Sequence, residues 1–210
     1  MATTAIERYT VEIRRIRIAS VGNELLAGVG DPRALGWLGR VLAKTSAPGV
    51  QLESYVLARP GEGTEALSHR WQSETALRYS PDTENRLVIG LSDLDLDLES
   101  STARARLNLA NILDRAAQAD IATLVVGPVP SLDGERNARL SELNAAYMDV
   151  ADRRHHYYVD TFTPLVNHEQ WRNDLAAGQG MPGQAGYGLI AWLVLHRGWY
   201  QWLNVPEPTA

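Results

Sequence analysis

Glu24 stands at the tip of Gly22-Asn23-Glu24-Leu25-Leu26-Ala27-Gly28-Val29-Gly30, a glycine-bounded turn directly after the strand-like run Ile13–Ser20. In α/β proteins, loops beyond the carboxyl ends of strands carry the ligands. A carboxylate there can serve as a general base or as the charge partner of a cation. No hydroxyl or thiol nucleophile occupies the tip. A second carboxylate, Asp93, ends Val88-Ile89-Gly90-Leu91-Ser92-Asp93, another strand running into a loop. Downstream, Leu94-Asp95-Leu96-Asp97-Leu98-Glu99 alternates apolar and acidic residues. That pattern predicts a short extended loop with its acids in water, ending in a helix cap at Ser100 or Ser101. Hard cations take oxygen ligands, so Glu24, Asp93 and Asp95 are the chemical alternative as a metal set. Their spacing matches no calcium loop, and no metal is expected. Asp31, next to Pro32, reads as a turn residue. His168 lies in the loop after the last strand and can swing toward the same rim. With Ser20 it is the source of a relocated hydrolytic site, if there is one. His69, His155, His156 and His196 sit in or beside predicted helices or strand starts and read as surface or packing residues.

The elements that must position these groups follow from hydrophobic spacing. Ile13–Ser20, Gln51–Leu57, Arg86–Leu91, Ile121–Val126 and His156–Asp160 read as strands. Leu35–Lys44, Glu62–Trp71, Ser101–Ala119 and Glu135–Asp152 carry apolar residues at three- and four-residue spacing and read as helices. Ala122–Val126 does not alternate, which predicts burial on both faces, as in a parallel sheet. Strand–helix alternation over one domain predicts a doubly wound, three-layer α/β/α sandwich with a five-stranded parallel sheet. The rim is then made by loops 20–32, 58–64 and 90–99, with 168–184 folding over it. The last helix, Ala185–Leu203, is apolar nearly all round and contains Trp192, Trp199 and Trp202. It is expected half in the core, and its exposed aromatic ends are the candidate surface for a homo- or hetero-oligomer.

Composition bounds the functional classes. The 210 residues carry a formal charge of −5, with 45% hydrophobic and 21% charged residues, an ordinary soluble composition. No basic stripe is present, so nucleic acid is not an expected partner. Cysteine is absent, which excludes disulfides, thiolate metal sites and a cysteine nucleophile. No segment reads as a signal core or as a membrane span, so a cytoplasmic protein without a membrane partner is expected. No motif implies a cofactor.

Taken together, the loop motifs resemble the SGNH, or GDSL-type, hydrolases along nearly the whole chain. Val21–Pro32 resembles the first block, where members read Gly-Asp-Ser-Leu. Tyr55-Val56-Leu57-Ala58-Arg59-Pro60-Gly61-Glu62-Gly63-Thr64 resembles the second, with Gly61 at the oxyanion glycine. Val88–Asp93 resembles the third, Gly-x-Asn-Asp, and Ala177–Tyr187 resembles the fifth, Asp-Gly-x-His-Pro. The resemblance implies the α/β/α fold. It also implies what has changed. Glu24 stands at the serine position, Gln179 at the aspartate position and Met181 at or beside the histidine position, while Ser92 replaces the oxyanion asparagine. Hydrolysis by a Ser-His-Asp triad is therefore not expected.

If the family geometry holds, the N–H groups of Glu24 and Gly61 point into the former oxyanion hole, a place that favours negative charge. Glu24 then either bends into the hole and plugs it or reaches into the cleft toward a ligand. The ligand-facing set is Asn23, Gly61, Ser92, Gln179 and Met181, with Glu24 and Asp93 as the acids. The expected function is a repurposed cleft that binds, and in one version transforms, a small molecule by carboxylate-assisted displacement or elimination in small-molecule biosynthesis. The competing expectations are a non-catalytic subunit docked through the aromatic helix and an esterase with relocated residues.

Overall fold

The computed structural model describes residues 13–97 and 101–208. Its five strands are β1 (Arg14–Gly22), β2 (Val50–Ala58), β3 (Glu84–Gly90), β4 (Ala122–Val126) and β5 (Tyr157–Val159). They form one parallel sheet in the order β2-β1-β3-β4-β5. Each expected strand is present, with every end within two residues of its expected position.

Alternate residues of the central strands enter two separate cores. Ile16, Ile18, Val88, Leu124 and Val126 pack beneath α1 (Gly36–Ala43), α6 (Glu169–Ala177), α7 (Gln184–Val194) and α8 (Tyr200–Leu203). Val21, Leu87, Ile89 and Val125 pack beneath α2 (Thr64–Ala76), α3 (Thr102–Gln118) and α4 (Gly134–Asp152). Burial on both faces is why these strands read as continuous apolar runs. The helices begin where caps permit. Ser101 accepts from Arg104 N, and the Asp133 carboxylate accepts from Glu135 N and Arg136 N.

Two expectations are corrected. Segment 168–184 is not all loop: a short turn, α5 (Phe162–Leu165), leads into α6, which is anchored by buried Trp171 and Leu175. The last helix is not continuous. It opens into a wide turn at Leu195–Trp199, where Arg197 and Gly198 leave helical geometry and Gly198 has φ +115°. A side chain there would meet the Tyr157 ring, so only glycine fits the bend. The bend swings Trp199 and Trp202 into the core, 0% and 3% exposed, and leaves Trp192 56% exposed. Two of the three tryptophans assigned to an outer surface are thus core residues. Trp199 also donates its indole N–H to Thr45 Oγ1 at 2.8 Å. Among the described residues no helix is long and apolar enough to cross a membrane.

Candidate functional site

β1 and β3 end side by side at Gly22 and Gly90. A Cβ at Gly22 would lie 2.5 Å from the Gly90 carbonyl oxygen, so the chain must leave β1 through a glycine. Asn23 follows, buried, its Oδ1 accepting from Leu25 N at 3.1 Å in a local side-chain turn. Leu26 N donates to Asn23 O and Val29 N to Glu24 O, which coils the loop and points the Glu24 side chain at the next rim segment. Glu24 Oε2 accepts from Gly61 N at 2.9 Å. Glu24 is half-buried, its contact with Gly61 lies at the solvent-exposed rim, and among the described residues no other donor reaches its carboxylate.

Several buried groups hold the Gly61 loop in place. Arg59 N donates to Gly22 O at 2.8 Å. Glu62 is 4% exposed and paired with Arg70, whose guanidinium also donates to Leu57 O. Ser92 Oγ donates to Glu62 O at 2.9 Å and accepts from Leu94 N. The Ser92 hydroxyl is therefore engaged by the loop backbone. Asp95 departs from the water-facing expectation. It is 3% exposed and accepts from Thr64 N, Thr64 Oγ1 and Tyr147 OH, the last at 2.7 Å. The cause is a tight helical turn at Leu94–Leu96, which rotates Asp95 inward where an extended loop would have turned it out. Burial and the Asp95 carboxylate push the Tyr147 hydroxyl well above its ordinary pKa.

Asp93 lies at the outer end of this segment. It pairs with Arg136 on α4, which also grips Asp97 at 2.6 and 2.7 Å. Arg136 holds the Asp97 carboxyl below its usual range. Glu99 and Ser100 lie outside the described residues; the cap of α3 is Ser101. Among the described residues no three His, Asp or Glu side chains gather as a metal set.

The loop before α7 closes the other side. Gln179 is exposed, with φ +54°, and half-buried Met181 packs its Cβ against Gly30. Asp174, on α6, accepts from Gly183 N at 2.6 Å and Gly186 N at 2.8 Å, which caps α7 and pulls the loop short. Tyr187 OH donates to Val29 O at 2.6 Å. Burial, with Asp31 and Glu24 nearby, raises its pKa. Asp31 is a buried turn residue whose carboxylate accepts from Arg33, Leu35 and Gly36 N–H and pairs with Arg40. His168 caps α6, its Nδ1 accepting from Trp171 N. Ser20 is fully buried. His69 and His155 are exposed, His156 is half-buried with its pKa lowered by burial, and His196 stacks on Trp192.

The structure thus brings Asn23, Glu24 and Gly61 together, with Met181 against the same loop at Gly30. It turns Ser92 inward, ties Asp93 to Arg136 and leaves Gln179 in solvent. Sequence reasoning missed Asp174, Tyr187, Arg70 and Asp95 as organisers of the rim. Only Asp174, three residues after Trp171 and ahead of a glycine-bounded helix start, carried a usable local signal.

A family model described as GDSL-like lipase/acylhydrolase matches residues 20–189. A search of curated proteins finds no match. Among solved structures, an acetylxylan esterase from Geobacillus stearothermophilus superposes with a TM-score of 0.73 at 15% identity, over 94% of this chain and 100% of that one. A lipase/acylhydrolase from Enterococcus faecalis gives 0.70 at 20% identity, over 92% and 99%. A member of the lipolytic G-D-S-L family from Veillonella parvula gives 0.70 at 17% identity, over 86% and 96%. At these identities the structures speak for the fold, and the family match, which spans most of the chain, shows that it belongs to the GDSL-like lipase/acylhydrolase family.

Proposed function

We propose that this member does not hydrolyse esters through a Ser-His-Asp triad and that its rim binds a small molecule through Glu24. The observation that carries the reading is the 2.9 Å contact between Glu24 Oε2 and Gly61 N. In the family resemblance that N–H faces the oxygen of a substrate carbonyl; here a side-chain carboxylate accepts from it. One carboxylate oxygen is anchored, and the other has no donor among the described residues, so it is available to a cationic or N–H-bearing ligand. Ser20, fully buried, and His168, a helix cap, weigh against a relocated nucleophile and base.

The test has two arms. Fluorophosphonate probes and p-nitrophenyl acetate should give no serine labelling and no turnover above background; stoichiometric labelling at any rim serine overturns the loss of hydrolysis. Choline, ethanolamine and a diamine series should include a compound that raises the melting temperature saturably in the parent protein and not in Glu24→Gln. A panel without any such shift overturns the ligand-binding part. A second reading is favoured by one feature, the groove of about 710 Å³ lined by Arg40, Lys44, Trp192, Leu195, His196 and Tyr200. There the stacked Trp192–His196 pair, 4.4 Å between centroids, would dock a partner protein of a non-catalytic subunit.

A further inference from the structure

β2 is an edge strand, and among the described residues nothing pairs with its outer side. It is as long as β1, nine residues each, yet none of its residues is buried. Apolar residues dominate it: Val50, Leu52, Tyr55, Val56, Leu57 and Ala58, with Val56 50% exposed. Proteins blunt such edges with lysines, prolines or bulges. Pro48 and Pro60 fall just outside this strand, and no proline, glycine or lysine falls within it. Its one charge, Glu53, is already matched by Arg17, at 2.8 Å, and Arg15. A long row of outward backbone groups, its one charge already neutralised, is a template for another extended strand.

We infer that β2 is the interface of a two-fold homodimer, pairing antiparallel with β2 of a second copy about an axis through Ser54. A closed dimer requires a self-complementary patch, and antiparallel pairing is what a two-fold axis across a strand produces. The axis at Ser54 uses the whole strand. It sets Val50 opposite Ala58, Gln51 opposite Leu57, Leu52 opposite Val56 and Glu53 opposite Tyr55. Exposed Val56 is then covered by Leu52 of the partner subunit. Glu53 meets a tyrosine of the kind that already donates to it within one protomer, where Tyr55 OH lies 3.0 Å from Oε2. Moving the axis to Glu53 would place two carboxylates face to face and shorten the ladder. The full ladder supplies about eight to ten backbone hydrogen bonds, which is the number an ordinary protein interface carries, about 10 ± 5.

The chain has no cysteine, which makes the register directly testable. Directly opposed residues in an antiparallel pair have Cα atoms about 4.5–5.5 Å apart, within disulfide range. Ser54→Cys should therefore cross-link to itself under mild oxidation at least about tenfold faster than Val56→Cys, which faces Leu52, or than Met148→Cys, exposed on α4, which packs on β5 at the opposite edge of the sheet. Sedimentation of the parent protein should show a concentration-dependent dimer, and Val56→Lys should weaken it by at least about tenfold at an unchanged melting temperature. A monomer at all accessible concentrations, or a Ser54→Cys rate equal to the controls, overturns the proposal. A monomer whose β2 amides still resist hydrogen exchange assigns the edge to a strand from elsewhere in the same chain, and equally overturns it.

Discussion

Replacing Asp95 should destabilise the protein far more than its place in an acidic, loop-like segment suggests. Its carboxylate meets three donors in a dry interior: Thr64 N–H, the Thr64 hydroxyl and the Tyr147 hydroxyl. Stranding a buried donor costs about 1–3 kcal/mol, and the losses do not add fully, so Asp95→Leu should cost about 4 kcal/mol. For a chain of this size each kcal/mol lowers the melting temperature by about 2–4 °C, which gives a fall of about 8–16 °C. Asp95→Asn keeps one acceptor and should cost about half as much, and Tyr147→Phe, which removes a single donor, about 1–2 kcal/mol. The control is Asp97→Asn, an exposed carboxylate of the same loop paired with Arg136, expected within about 0.5 kcal/mol of the parent. Urea melts and scanning calorimetry measure all four, and a cycle between Asp95→Asn and Tyr147→Phe should show a coupling above about 0.5 kcal/mol. If Asp95→Asn melts with Asp97→Asn, or the cycle is additive, the buried network does not hold the Gly61 loop and the account of the rim fails.

Other perturbations separate the remaining contributions. Arg40 first, then the N–H groups of Arg33 and Gly36, hold the Asp31 carboxyl far below its ordinary range. Its contribution is therefore full above the unfolded value of about pH 3.9 and drains away as pH falls below it; Asp31→Asn should flatten that acid limb in pH-dependent melts. Trp199→Ala should cost about 3–5 kcal/mol in denaturant unfolding, whereas Trp192→Ala should stay within about 0.5 kcal/mol. Gly22→Ala drives a methyl into the Gly90 carbonyl and should cost about 1–3 kcal/mol or block expression of folded protein.

The sheet was legible because its central strands are buried on both faces, so apolar runs such as Val88–Ile89 and Leu124–Val126 survive any choice of face. α6 was not, since only Trp171 and Leu175 anchor it and the rest of its turns are solvent-exposed or half-buried. The bend before Trp199 was hidden for the opposite reason: an uninterrupted apolar pattern continues across Gly198, and periodicity cannot register a break that changes direction without changing composition. At the site, Glu24 and Gly61 could be paired from motif order, and Asn23 beside them from its place in the turn. The destinations of Ser92 and Asp95 could not be read, because period-two alternation predicts an extended loop and the backbone instead makes a three-residue turn. Asp93 and Arg136 lie 43 residues apart, a pairing no local pattern announces.

Arg14, at the start of the first strand, donates to the carbonyl oxygens of Leu203 and Asn204, close to the other end of the described chain. The opening strand and the closing turn are thus fastened to each other, and Trp199, Trp202 and Leu203 fill the core directly behind them. During synthesis the first strand must wait for residues 199–204 to emerge before that fastening can form. Deleting residues 199–204 would consequently leave an open seam instead of a smaller domain, because Trp199, Trp202 and Leu203 leave the core with the fastening.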